Sequence, residues 1–196
     1  MSSPLPTVRR AVLRPAELEK EDLQRFLLAE ALTGVDAVLS PSVGTDVTIR
    51  GDTMQITQAQ RSAVVTLDEG GNLVVVQPVL EPDSGRSGIP SLIEEVVTER
   101  ITRAIRFCAG VLNQVDPAQR LSHTAPVVGL RGGGHLPWRT QAEQDRSPNR
   151  AVMGVGGWEQ VVIALSPPVR RRAALLHDTQ RLAEDFTVRL RREVRQ

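Results

Sequence analysis

The strongest constraint on this chain lies between Ser91 and Val115. There Ile93, Val97, Ile101, Ala104, Cys108, Leu112 and Val115 recur every three or four residues, the spacing of one helix face. Val96, Ile105 and Val111 widen the stripe, so a whole side of the helix must be buried. Ile89-Pro90 closes the preceding loop, and Ser91 followed by Glu94 spells a capping box, in which each side chain satisfies a backbone donor of the first turn. Asp116-Pro117 ends the expected helix. The remaining segments must provide its cover.

Upstream, residues 1–14 carry two prolines before Arg14 and no periodicity, and are expected to be a flexible N-terminal segment. Pro15 opens a single expected amphipathic helix with Leu18, Leu23, Phe26, Leu27 and Leu32 on one face and Thr33-Gly34 at its end. From Asp36 the period changes to two. Ala37-Val38-Leu39 reads as a strand, and Val47-Thr48-Ile49 faces Met54-Gln55-Ile56 across a glycine-led turn at Gly51-Asp52. That turn accounts for Arg50-Gly51-Asp52 without the adhesive role this tripeptide has elsewhere. A second pair joins Ala63–Leu67 to Leu73–Val76 through Asp68-Glu69-Gly70-Gly71. Residues 81–89 form a polar linker, a possible sub-boundary inside an otherwise single domain spanning residues 15–196.

Downstream, Thr124–Leu130 reads as a strand, followed by a long loop from Gly132 to Arg150. Ala151–Val155 and Trp158–Leu165 are expected to pair across Gly156-Gly157, and Ser166-Pro167 to cap one last helix running to Gln196, roughly 45 Å long. The expected class is therefore α+β: an antiparallel meander sheet with helices packed on one side, in the order α-β(3-4)-α-β-β-α with a long C-terminal helix. In element order this resembles the secretion-chaperone and stress-regulator type of dimeric α+β protein. The resemblance implies polypeptide binding without catalysis.

Chemistry-bearing residues are sparse. Cys108, the sole cysteine, falls on the buried stripe and reads as a small hydrophobe suited to a reducing compartment. The opening residues lack an apolar core of secretory length and no run approaches a membrane span, so a soluble, cytoplasmic protein without membrane contact is expected. His123, His135 and His177 are spread along the chain with no second ligand at helical spacing, so no metal site is expected. Gly132-Gly133-Gly134 is followed by His135-Leu136-Pro137 rather than by the residues of a phosphate loop, and no cofactor is expected. No serine stands in a nucleophile-elbow context, and Cys108 faces inward.

Charge is more informative. Residues 1–100 hold 9 basic and 15 acidic side chains, and residues 101–196 hold 15 and 8, although the whole chain is at +1. Arg170-Arg171-Arg172 would stand in the first turn of the last helix, where the dipole disfavours cations by a few tenths of a kcal/mol each, a cost that a phosphate partner would offset. The expected function is a non-enzymatic binding module that contacts nucleic acid or another polyanion through Arg131, Arg139, Arg170, Arg171 and Arg172. The loop residues Gly132, Gly133, Gly134, His135 and Trp138 complete the candidate site. One alternative is a protein-interaction adaptor, a homodimer formed through the C-terminal helix. A second is an enzyme with its site near the Gly132–Trp138 loop. Five aromatic residues with no tyrosine speak against a single-strand reader that stacks bases.

Overall fold

A computed structural model describes residues 12–80, 90–134, 136–147 and 158–195. The flexible segment expected before Arg14 lies mostly outside them, as do the linker 81–89 and the strand expected at 151–155. The described chain combines helices with a four-stranded antiparallel sheet and ends in a helix, as the α+β reading requires. It divides into two compact units, one of residues up to Val76 with Gly110–Leu121, the other of Gln77–Ala109 with the residues from Ser122 onward.

The first unit opens with two helices where one was expected, α1 (Pro15–Leu18) and α2 (Glu21–Thr33). Lys20 between them is extended, with φ −64° and ψ 124°. Glu17 turns its carboxylate back to accept the Arg14 backbone N–H at 2.7 Å, a local bond that closes α1 on itself. The same hydrogen bond holds the Glu17 carboxyl below its usual range. Leu18, Leu27 and Ala31 are buried. Ala37-Val38-Leu39 is not a strand: the amides of Val38 and Leu39 both donate to the Ala31 carbonyl, at 3.0 and 2.8 Å. Orphan carbonyls at the end of α2 thus take the donors a sheet would have used, while Val38 and Leu39 are still buried.

The sheet itself follows its alternation. β1 (Asp46–Arg50), β2 (Thr53–Gln58), β3 (Ala63–Asp68) and β4 (Leu73–Val76) form an antiparallel meander in sequence order. Gly51 takes φ +60° in the first hairpin, a conformation that favours glycine. Met54 lies opposite Leu67, Ile56 opposite Val65 and Gln58 opposite Ala63, and all six side chains are buried. Gln58 is the polar exception, and it is satisfied. Its Oε1 accepts from the Ser40 amide at 3.1 Å, while Nε2 donates to the Ser40 carbonyl at 2.7 Å and to Thr45 Oγ1 at 2.9 Å. One side chain therefore replaces a missing strand for the loop at residues 40–45.

The unit is completed by the last residues of α3 (Glu94–Val115), of which Val111, Leu112 and Val115 are buried. Asp116 follows, fully buried. Its Oδ1 accepts from the Arg120 amide at 3.1 Å and from Arg120 Nε at 3.0 Å, and its Oδ2 accepts from the Leu121 amide at 2.9 Å. Arg120 in turn donates from Nη2 to the Val12 carbonyl. A carboxylate at a helix C-terminus opposes the dipole, and here three N–H donors from the next turn outweigh it.

The second unit contains β5 (Leu92–Ile93), residues 94–109 of α3, β6 (His123–Thr124), β7 (Val127–Gly134), β8 (Trp138–Arg139), α4 (Gln141–Arg146), β9 (Trp158–Ala164), β10 (Arg170–Arg171), α5 (Ala174–His177) and α6 (Thr179–Val194). Its strands form two-stranded ladders: β7 with β9 and β6 with β10 antiparallel, β5 with β8 parallel. Helix α6 packs on β9, burying Leu182, Ala183, Phe186 and Leu190 where Leu130 and Ile163 face inward. It also runs antiparallel to α3, since Thr98 meets Thr187 (Oγ1 to Oγ1, 3.0 Å) and Glu94 meets Arg191.

Three expectations change in this unit. Helix α3 begins at Glu94 and not directly after Ser91, because Leu92 and Ile93 are taken by the ladder with β8 and the Leu92 amide donates to the Pro137 carbonyl at 2.8 Å. The long loop is largely built, since β7 runs on through Gly134 and β8 and α4 follow. The last helix is shorter, because the chain after β9 first makes β10 and α5. Sixteen residues of α6 span about 24 Å.

Asp116→Ala is expected to destabilise the protein by about 3 kcal/mol, since it strands the Arg120 and Leu121 amides in a buried setting. Urea denaturation of the wild type and variant measures it.

Candidate anion-binding site

The densest polar contacts of the second unit gather where α3 begins and α6 ends. Glu94, in the first turn of α3, accepts from Trp138 Nε1 at 2.8 Å and from Arg191 Nη1 at 2.9 and 3.0 Å. Arg195 donates from Nη2 to the Trp138 carbonyl at 3.2 Å, and the Gln141 amide donates to Glu95 Oε2 at 2.8 Å. Each helix end here carries the charge its dipole favours, acids at the start of α3 and arginines at the end of α6. The node thus fixes Trp138 as a buried anchor rather than as a free stacking surface.

The arginines singled out from the sequence lie on three different ladders. Arg131 is exposed on β7, next to a bulge between Arg131 and Gly134 at which Gly132 adopts φ +79°. That conformation explains Gly132 as backbone geometry, and Gly133 and Gly134 belong to the same strand; His135 lies outside the described residues. Arg139, on β8, is 4% exposed, and its Nη1 donates to Gln144 Oε1 at 2.9 Å and to the Ser147 carbonyl at 3.1 Å. Nη1 thus closes the C-terminal end of α4, while Nη2 is buried without a hydrogen-bond partner among the described residues.

Arg170-Arg171-Arg172 is not in a helix. Arg170 and Arg171 are β10, paired with Thr124 and His123, and Arg172 is buried with its amide donating to the Ser122 carbonyl at 2.9 Å. The expected conflict with a helix dipole therefore does not arise. Arg171 is exposed. Arg170 is half-buried, and its Nη2 donates to the Ser166 carbonyl at 3.3 Å.

Two buried atoms on that ladder have no hydrogen-bond partner, Arg170 Nε and Thr124 Oγ1. They belong to residues directly opposite each other. Thr124 has no basic or motif signature, so sequence reasoning could not have selected it; only the pairing of two strands some 46 positions apart brings it to Arg170. Glu94 was assigned a local capping task, and its partners, 44 and 97 residues away, were equally hidden.

Cys108 is half-buried on α3. Burial pushes its thiol up to about 12, away from the thiolate that nucleophilic chemistry needs. Among the described residues no three His, Cys, Asp or Glu side chains are grouped so as to hold a metal ion, and no helix is long and apolar enough to cross a membrane. No protein-family model matches this chain, and neither a curated protein nor a solved structure is significantly similar to it.

Two outcomes follow. Glu94→Ala should cost about 2 kcal/mol by stranding the Trp138 N–H and half-burying an unpaired Arg191, and should red-shift Trp138 emission when measured in a Trp158→Phe background. For Cys108, the folded thiol keeps its proton above pH 9 while the unfolded thiol releases it. Stability is therefore unaffected below the ordinary thiol range and falls as pH rises from about 9 towards about 12. Denaturation at pH 8 and pH 10, compared with Cys108→Ala, isolates this contribution.

Proposed function

We propose that this protein is a non-enzymatic binding module whose second unit engages a polyanion, nucleic acid in the first instance, through the arginines of its strand-bearing segments. The observation that carries the reading is the state of Arg131 and Arg171. Both are exposed, and neither has a carboxylate partner among the described residues. Two acids of α3 are engaged by other arginines, Glu94 by Arg191 and Glu99 by Arg103. Arg139 and Arg172 leave this surface because they are buried, so the contacting set narrows to Arg131, Arg170 and Arg171.

Self-association is the second reading, and one observation supports it in altered form. The apolar face of α6 is spent inside its own unit, but Val127 and Val162 on the outer face of the β7–β9 ladder are 57% and 56% exposed. A homodimer or protein adaptor would use that face rather than the helix.

The two readings separate under salt. Polyanion binding falls steeply with ionic strength, whereas an apolar face does not. The wild type is expected to bind duplex DNA at about 50 mM salt. Arg131→Gln combined with Arg171→Gln should leave the fold intact and flatten the slope of log affinity against log salt by roughly 0.9 for each lost duplex phosphate contact. Absence of wild-type binding to duplex and single-stranded nucleic acid at that salt removes the polyanion reading. Sedimentation over a range of protein concentrations then tests self-association.

A further inference from the structure

We propose that the rung of the β6–β10 ladder pairing Thr124 with Arg170 is a receptor for one oxyanion, a phosphoryl or carboxylate group held between Arg170 Nε and Thr124 Oγ1. This deepens the polyanion reading and rests on it for its biological source, though the site itself is argued from geometry. Directly opposed residues of an antiparallel pair carry their side chains on the same face, about 5 Å apart at Cβ. An oxygen atom held by this rung would lie between its two unpartnered groups.

Both groups need such an atom. Arg170 Nε–H is an obligatory donor and the Thr124 hydroxyl can donate, yet each is shielded from solvent and lacks a partner. The guanidinium makes one side-chain hydrogen bond, to the Ser166 carbonyl, and no carboxylate pairs with it among the described residues. A bridging water would satisfy the two donors and leave the charge uncompensated. An oxyanion satisfies the donors and the charge together, which is why charge-assisted pairs of this kind are the stronger ones. Both residues keep part of their surface exposed, while the two donor atoms themselves are covered. Exposed Arg171 on the next rung adds positive potential without competing for the same oxygen.

Isothermal titration of the full chain with inorganic phosphate, and separately with acetate, tests the site and distinguishes its two sources. Saturable binding of one equivalent of phosphate identifies a phosphoryl receptor; saturation by acetate alone identifies a carboxylate receptor. Thr124→Val preserves shape and strand preference while removing the hydroxyl, and should weaken binding roughly tenfold, the loss of one charge-assisted hydrogen bond. Arg170→Gln should abolish it. If Arg170→Gln fails to fold, Thr124→Val decides alone. No saturable binding of either anion across the millimolar range, or wild-type affinity in Thr124→Val, overturns the proposal. Phosphate binding without nucleic-acid binding would remove the polyanion reading and leave this site standing. The opposite result would remove this site only.

Discussion

Burial of the apolar stripe on α3 is the condition the rest of the structure meets. With so few aromatic side chains, the core is built from aliphatic residues, and α3 supplies them to both units: Val97, Ile101 and Ile105 to one, Val111, Leu112 and Val115 to the other. A helix whose stripe is used along its whole length cannot slide, because a shift of even one residue would turn the stripe away from its cover. Both ends are pinned by a carboxylate. Glu94 starts the helix in the favourable field of its dipole and holds Arg191, whereas Asp116 ends it against that field and is retained by three N–H donors from the following turn.

The arginines divide by what surrounds them. Arg139 is buried yet serves the chain, since its Nη1 reaches both the Gln144 amide oxygen and the Ser147 carbonyl. Arg191 and Arg195 complement the end of α6 while tying down Glu94 and Trp138. These are structural assignments. What is left for a partner is a smaller set, exposed Arg131 and Arg171 with half-buried Arg170 between stability and function.

Local patterns in the sequence were legible wherever local physics decided the structure. Alternation and turn chemistry located all four strands of the meander, and the stripe between Ser91 and Val115 located α3, which begins at Glu94. Patterns failed where a distant segment competed. Ser91-Leu92-Ile93-Glu94 reads locally as a helix start, but a parallel pairing with Trp138-Arg139 takes Leu92 and Ile93, so α3 begins at Glu94, whose carboxylate meets Trp138 and Arg191. Two-residue strands such as β6 and β10 have no period to detect, so Arg170-Arg171 was read into a helix it does not enter. The orphaned pair at Thr124 and Arg170 is invisible for the same reason: neither residue implies the other until the ladder forms.

Charge read along the chain also differs from charge read in space. The second half of the sequence carries +7, whereas the second unit, which recovers Glu94, Glu95 and Glu99 from the first half, holds 14 basic against 10 acidic side chains among the described residues. The surplus shrinks to +4, and the exposed face of α6 alternates Arg181, Glu184, Asp185, Arg192 and Glu193, which screens itself. A diffuse positive field is therefore a weak basis for recognition. Affinity for an anion must come from sites where a guanidinium lacks an internal partner and where other donors converge with it. Under the proposed polyanion reading, exposed arginines would steer an anionic partner towards the unit, and the Thr124–Arg170 rung, with two unmatched donors and one unmatched charge, would be the defined place for one of its oxygens.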